Sequence, residues 1–152
     1  MRVMAVDPGT VRCGIAVCDW LGMLASPVGI IRVKDGRELA AAIAAKAVEL
    51  EAGLIIVGYP IQMDGTAGHR ALAAERLAEQ IRRHTDLEVR LFDERLTSAE
   101  AEDLLKEAGR SIKESKDMRD AAAAAVLLSW WLDKNPQSAP RDPDEDPSDM
   151  EY

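Results

Sequence analysis

Aromatic side chains are scarce in this sequence: three Trp, two Tyr and one Phe among 152 residues. A surface that reads single-stranded bases by stacking needs several aromatic rings in one place. Their scarcity argues for weak sequence readout, with recognition by shape or backbone. Cysteine is nearly absent as well. Cys13 and Cys18 fall on one predicted strand, roughly 17 Å apart at about 3.3 Å per residue and on opposite faces, so they cannot bridge each other. They read as reduced core thiols. The two histidines, His69 and His84, lie on or beside a predicted helix with no evident carboxylate partner and read as ordinary surface residues. No apolar run is long enough to span a membrane, and Met1-Arg2-Val3-Met4 leads directly into a strand with no signal-peptide pattern. A cytoplasmic protein is the expectation.

Positive charge is also in deficit, with 27 acids against 19 bases. Tight binding to a polyanion depends on neutralising its phosphates, so the overall balance opposes it. The excess is uneven. Lys134 to Tyr152 holds six acids, two bases and four of the seven prolines, and has little to bury. Residues 134–152 are therefore expected to be a disordered acidic, Pro-rich tail behind a single domain at 1–133. Within that domain Arg110, Lys113, Lys116 and Arg119 cluster, with Glu114 and Asp117 among them.

What is present is an alternation of strands and helices. The pattern predicts strands at 2–6, 12–19, 28–33, 54–57 and 88–92, the first two forming an antiparallel pair. Leu54-Ile55-Ile56-Val57 is continuously apolar, as in a strand covered on both faces. Helices are predicted over 37–51, closed by Gly53, and up to about His84 with Ala73, Leu77 and Ile81 inward. A third opens at the capping box Thr97-Ser98-Ala99-Glu100 and closes at Gly109, and the last covers 117–133. The fold class is α/β, with a mixed sheet flanked by helices.

Three carboxylates stand where elements end. Asp7 follows the first strand, Asp93-Glu94 follows the fifth, and Asp120 heads a stripe formed by Ala124, Leu127 and Trp131. If strands one, four and five are parallel, Asp7 and Asp93-Glu94 emerge on one edge, with Tyr59 and Gln62 between them. Ala121 to Ala125 would let the last helix approach the sheet closely and carry Asp120 to that edge. Converging carboxylates repel unless a cation intervenes, and an all-oxygen set suits Mg²⁺ or Mn²⁺. Gly9 and Gly14 would then allow a tight turn and room for a phosphate. Simpler roles stand beside this: Asp7 capping its own Asp-Pro-Gly-Thr turn, Asp120 at a helix dipole, Glu94 paired with Arg95.

The segments "DPGTVRCGIA", "VGYPIQMDGTAG", "DERLT" and "RDAAAAAVLL" resemble, in order, four motifs of the YqgF (RuvX) family of RNase H-like nucleases. The resemblance covers residues 2 to about 133. It implies an RNase H-like fold with a five-stranded mixed sheet and a catalytic, metal-binding carboxylate set at Asp7, Glu94 and Asp120. It also implies hydrolysis of nucleic acid, either maturation of the 5′ end of pre-16S ribosomal RNA or resolution of four-way DNA junctions. Gln62 departs from the Asn common in the family loop, and Asp117 lies one helical turn before Asp120.

With two metals about 4 Å apart, no histidine base is needed. Arg12 and Arg95 are candidates for phosphate contacts, or else for pairing with Asp93 or Glu94. Lys113, Lys116 and Arg119 are candidate backbone contacts, and Tyr59 is the candidate stacking residue, while Trp20, Trp130 and Trp131 read as structural. The expected partner is a structured RNA precursor or branched DNA, with ribosomal particles a further partner and no membrane. Junction resolution implies a two-fold dimer; no dimer face is legible beyond one tryptophan of the last helix at the surface, and both monomer and homodimer stay open. A sugar-kinase or actin-like ATPase also opens with Asp-x-Gly-Thr, but needs a second domain and phosphate loop that this length excludes. A non-catalytic binding module is the other alternative, against which all three carboxylates are retained.

Overall fold

The computed structural model describes residues 1–8, 11–59, 68–93 and 116–136. Five strands form one sheet: β1 (Val3–Asp7), β2 (Arg12–Cys18), β3 (Ala25–Arg32), β4 (Leu54–Tyr59) and β5 (Glu88–Asp93). Their order is β3-β2-β1-β4-β5. The pairs β1/β2 and β2/β3 are antiparallel, while β1/β4 and β4/β5 are parallel. The described helices are α1 (Leu39–Glu49), α2 (His69–Arg82) and α3 (Lys116–Lys134). None of the described helices is long and apolar enough to cross a membrane.

Alternation along the strands assigns each side chain to a face. On one face Met4, Val6, Cys13, Ile15, Ile55 and Val57 pack with Leu39, Ile43 and Ala47 of α1 and Ala74, Leu77 and Ile81 of α2. On the other, Val3, Ala5, Ala16, Cys18, Leu54, Ile56 and Phe92 pack with Ala124, Leu127, Leu128 and Trp131 of α3. The two cysteines lie on opposite faces as expected, and both are free and buried. Burial pushes the Cys13 thiol up to about 12, which leaves it inert.

Several boundaries differ from the sequence pattern. β3 begins at Ala25 rather than 28, because it is an edge strand that tolerates Pro27, and its register with β2 shifts between Ile15 and Ala16. Helix α1 stops at Glu49 and is preceded by a 3₁₀ turn, Gly36–Glu38; the left-handed residue after it is Glu51 (φ 56°), not Gly53. Gly53 instead donates its N–H to the Arg2 carbonyl at 2.7 Å, leading the chain into β4. On α2 the inward residue is Ala74, with Ala73 exposed. The tryptophans also divide differently. Trp131 is buried and Trp130 half-buried, whereas Trp20 is 58% exposed with the Arg2 guanidinium 5.0 Å above its ring. The helix predicted over 97–109 and the tail over 137–152 lie outside the described residues.

Helix and sheet come very close at Gly14, opposite Asp7 in the β1/β2 register. A Cβ built there would lie 2.1 Å from the Asp120 carbonyl oxygen and 3.1 Å from the Ala121 nitrogen. Ala121, Ala122 and Ala124 are buried behind this contact. Helix α3 is thus seated on bare backbone, and the space at Gly14 is taken by Asp120 itself rather than left for a phosphate. Gly14→Ala should destabilise the fold by about 3 kcal/mol, at the upper end of overpacking costs because backbone cannot step aside as a side chain does. Urea denaturation measures this; a loss below about 0.5 kcal/mol would contradict the contact.

Candidate functional site

Asp7 ends β1, and Tyr59 and Asp93, register partners, end β4 and β5. All three therefore leave the sheet at the carboxyl edge of its parallel strands, where α/β sheets build their sites. Strand alternation then separates them. Asp7 follows Val3 and Ala5 onto the α3 face, and Arg12 follows Gly14 and Ala16 onto the same face. Asp120, in the first turns of α3, meets them there. The Arg12 Nη2 lies 2.7 Å from Asp120 Oδ2, and its Nη1 lies 3.6 Å from Asp117 Oδ1. β2 presents Arg12 to α3, which is why it meets these two helix carboxylates; Glu94, one of its expected partners, lies outside the described residues.

Tyr59 belongs to the opposite face. It packs against the α1/α2 core, and its hydroxyl donates to the Glu75 carboxylate of α2. That hydrogen bond, with desolvation and the nearby charges of Glu75 and Asp93, holds its phenol above the usual range. Both histidines are exposed, in keeping with a surface role.

The electrostatics of Asp7 define the site. Burial, then the negative charge of Asp120, push its carboxyl from 3.8 up to about 6, while Arg70 of α2 pulls in the other direction. Arg70 was not legible as a site residue: the visible signal is a cation in the first turn of a helix that has no acid there and no side-chain cap. A carboxylate whose proton is held by burial first and by a second carboxylate next favours added positive charge. All-oxygen donors of this kind fit a hard divalent cation. Among the described residues no group of three His, Cys, Asp or Glu is close enough to hold a metal. The expected third ligand, Glu94, lies outside the described residues, as do Arg95, Lys113 and Gln62; Lys116 and Arg119 lie on α3, but their side chains fall outside what is described. Asp117, one turn before Asp120, stands between Arg12 and Arg32, and it is Asp120 whose charge reaches Asp7.

A raised carboxyl has a cost. The folded chain holds the Asp7 proton more tightly than the unfolded chain, so stability falls as pH rises from 3.8 towards about 6. Above that the penalty is fully present, on the order of 2–3 kcal/mol. Asp7→Asn should therefore stabilise the protein at pH 7 without divalent cation, with the gain vanishing near pH 3. Thermal melts at the two pH values measure this, and an equal effect at both would contradict the shift.

A family model described as "RuvX: Holliday junction resolvase" matches residues 1–134. A relative from Anaeromyxobacter sp. (strain Fw109-5), bearing the name pre-16S rRNA nuclease, is 42% identical over 133 residues, spanning 88% of this chain and 97% of its own. A relative of the same name from Synechococcus elongatus is 38% identical over 138 residues, 91% of each chain. Among solved structures, RuvC of T. thermophilus in complex with a Holliday junction substrate superimposes with a TM-score of 0.58 at 14% identity, covering 91% of this chain and 99% of that one. The Fowlpox virus resolvase with Holliday junction DNA gives 0.56 at 10% identity, over 88% and 98%. At these identities the structures speak for the fold, which is RNase H-like. With a family match over nearly nine-tenths of its length and relatives near 40% identity, the chain belongs to the RuvX family of nucleases.

Proposed function

We propose that the chain, through its domain at 1–133, is a metal-dependent phosphodiesterase that trims the 5′ end of pre-16S ribosomal RNA. The observation that carries this reading is the convergence of Asp7 and Asp120 at the carboxyl edge of the parallel strands, with Asp7 held near 6. Relatives near 40% identity bearing the name pre-16S rRNA nuclease favour the RNA substrate. The family description favours a second one, the four-way DNA junction, with the same chemistry.

In this reading Asp7, Glu94 and Asp120 hold Mg²⁺ or Mn²⁺ as a two-metal site. A divalent cation bound there supplies positive charge where a phosphodiester gains negative charge as water attacks phosphorus. The protein's own contribution is rigidity and neutralisation. Asp7 is fixed by its strand, and Asp120 by the backbone contact at Gly14. Arg12 compensates Asp120 and offers its guanidinium towards phosphate oxygens. Arg95, Lys113, Lys116 and Arg119 are the further candidates for phosphate contacts, whereas Tyr59, on the opposite face and bonded to Glu75, takes no part beside the acidic pair. With few aromatic rings, substrate choice rests on backbone shape. Ribosomal particles are the setting in which such a precursor is met, as a cytoplasmic protein would meet it.

The test is a cleavage assay with Mg²⁺ and with Mn²⁺, on a 5′-extended 16S precursor and on a synthetic four-way DNA junction. Asp7→Asn and Asp120→Asn should each lower kcat by at least about a hundredfold on the precursor, as loss of a metal-site contact does. Cleavage of the junction alone would move the assignment to resolution. Variants as active as wild type would remove the carboxylates from the chemistry.

A further inference from the structure

Arg12 and Arg32 are direct partners in the β2/β3 register. Two cations placed opposite each other on adjacent strands repel. Here an acid from the helix above stands between them. Asp117 Oδ1 lies 3.1 Å from Arg32 Nη2 and 3.6 Å from Arg12 Nη1. The other branch of Arg12 reaches Asp120 at 2.7 Å. Asp117 and Asp120 are three residues apart and share one helix face, so they take the two branches of one guanidinium. The order Arg32, Asp117, Arg12, Asp120 is a continuous chain from the sheet edge to the candidate site.

We propose that Asp117 and Arg32 are positioning residues that act on the site through Arg12. The Gly14 contact fixes the backbone of Asp120 but leaves its side-chain torsions free. Repulsion from Asp7 would turn that carboxylate away, and Arg12 opposes the turn. Arg12 is a long side chain with a single bond to Asp120; its second branch needs an acceptor to hold the fork in one orientation. Asp117 provides it, and Arg32 keeps Asp117 from being drawn wholly to Arg12. Both outer members are open to solvent, Arg32 at 59% and Asp117 at 44%. Exposed ion pairs contribute little to global stability. The signature of this chain is therefore a change at the site with the fold intact, which a merely structural salt bridge would not give.

The inference rests on the cation site proposed above, and its test separates the two. Using the full chain, Mn²⁺ affinity is measured by calorimetry for wild type, Asp7→Asn, Arg32→Gln, Asp117→Asn and the double variant, with thermal midpoints alongside. Arg32→Gln and Asp117→Asn should each weaken Mn²⁺ binding about tenfold, the low end of what outer-shell changes do. Midpoints should hardly move, and the double variant should be no worse than the poorer single, as expected of one coupled unit. Arg32→Lys should recover part of the loss. Wild-type affinity in both singles, or additive losses in the double, would overturn the proposal. If Asp7→Asn binds Mn²⁺ as wild type does, the cation site itself fails. Positioning is then still read without metal, from the Asp120 side-chain rotamer by NMR couplings: a second rotamer populated in Arg32→Gln supports it, and the wild-type rotamer unchanged overturns it.

Discussion

A β-carbon at Gly14 would sit 2.1 Å from the carbonyl oxygen of Asp120, and the rest of the site follows from its absence. Without that atom, α3 settles directly on the backbone of β2. The buried run Ala121, Ala122 and Ala124 continues the close seating on the helix side. Gly14 is also the register partner of Asp7, so the place where the helix touches the sheet is the place where the first strand delivers its carboxylate. Two acids distant in sequence are brought together by what two strands and a helix lack.

That seating has an electrostatic consequence. Asp7 is desolvated and faced by Asp120, and its carboxyl rises to about 6. Such an arrangement opposes folding at neutral pH and persists because the surrounding core determines it. Sites that bind charge often keep strain of this kind, and stability is lost where function needs it. The neighbouring cations fit the same account. Arg12 compensates Asp120 from β2, and Arg70 draws Asp7 in the opposite sense from α2. Each sits where a carboxylate would otherwise go unanswered.

Much of this was legible in the residues. The apolar run 54–57, the short turn after β1 and the alanine run at 121–125 specify a parallel core, an antiparallel pair and a close helix. Asp7 and Asp120 stand out because charge appears where apolar patterning stops. What escaped reading has physical causes. The choice between Ala73 and Ala74 is invisible because both are alanine and either falls within a turn of Leu77 on the helix surface. Pro27 and Gly29 disguise the first half of β3, which an edge position allows. Trp20 reads as a core residue by type, yet lies on a turn held by Asp19, which accepts from the Met23 and Leu24 amides. The link from Arg32 through Asp117 to Arg12 depends on the β2/β3 register, which no local pattern encodes.

Asp7 and Asp120 form one electrostatic unit, and the proposed cation would bind where their charges meet. Titration of the Asp7 side-chain carboxyl carbon by NMR tests this most directly, in wild type, in Asp120→Asn and in wild type with Mg²⁺. The expected midpoint is about 6 in wild type, falling both when Asp120 loses its charge and when Mg²⁺ is added. A midpoint near 3.8 that neither change moves would contradict it.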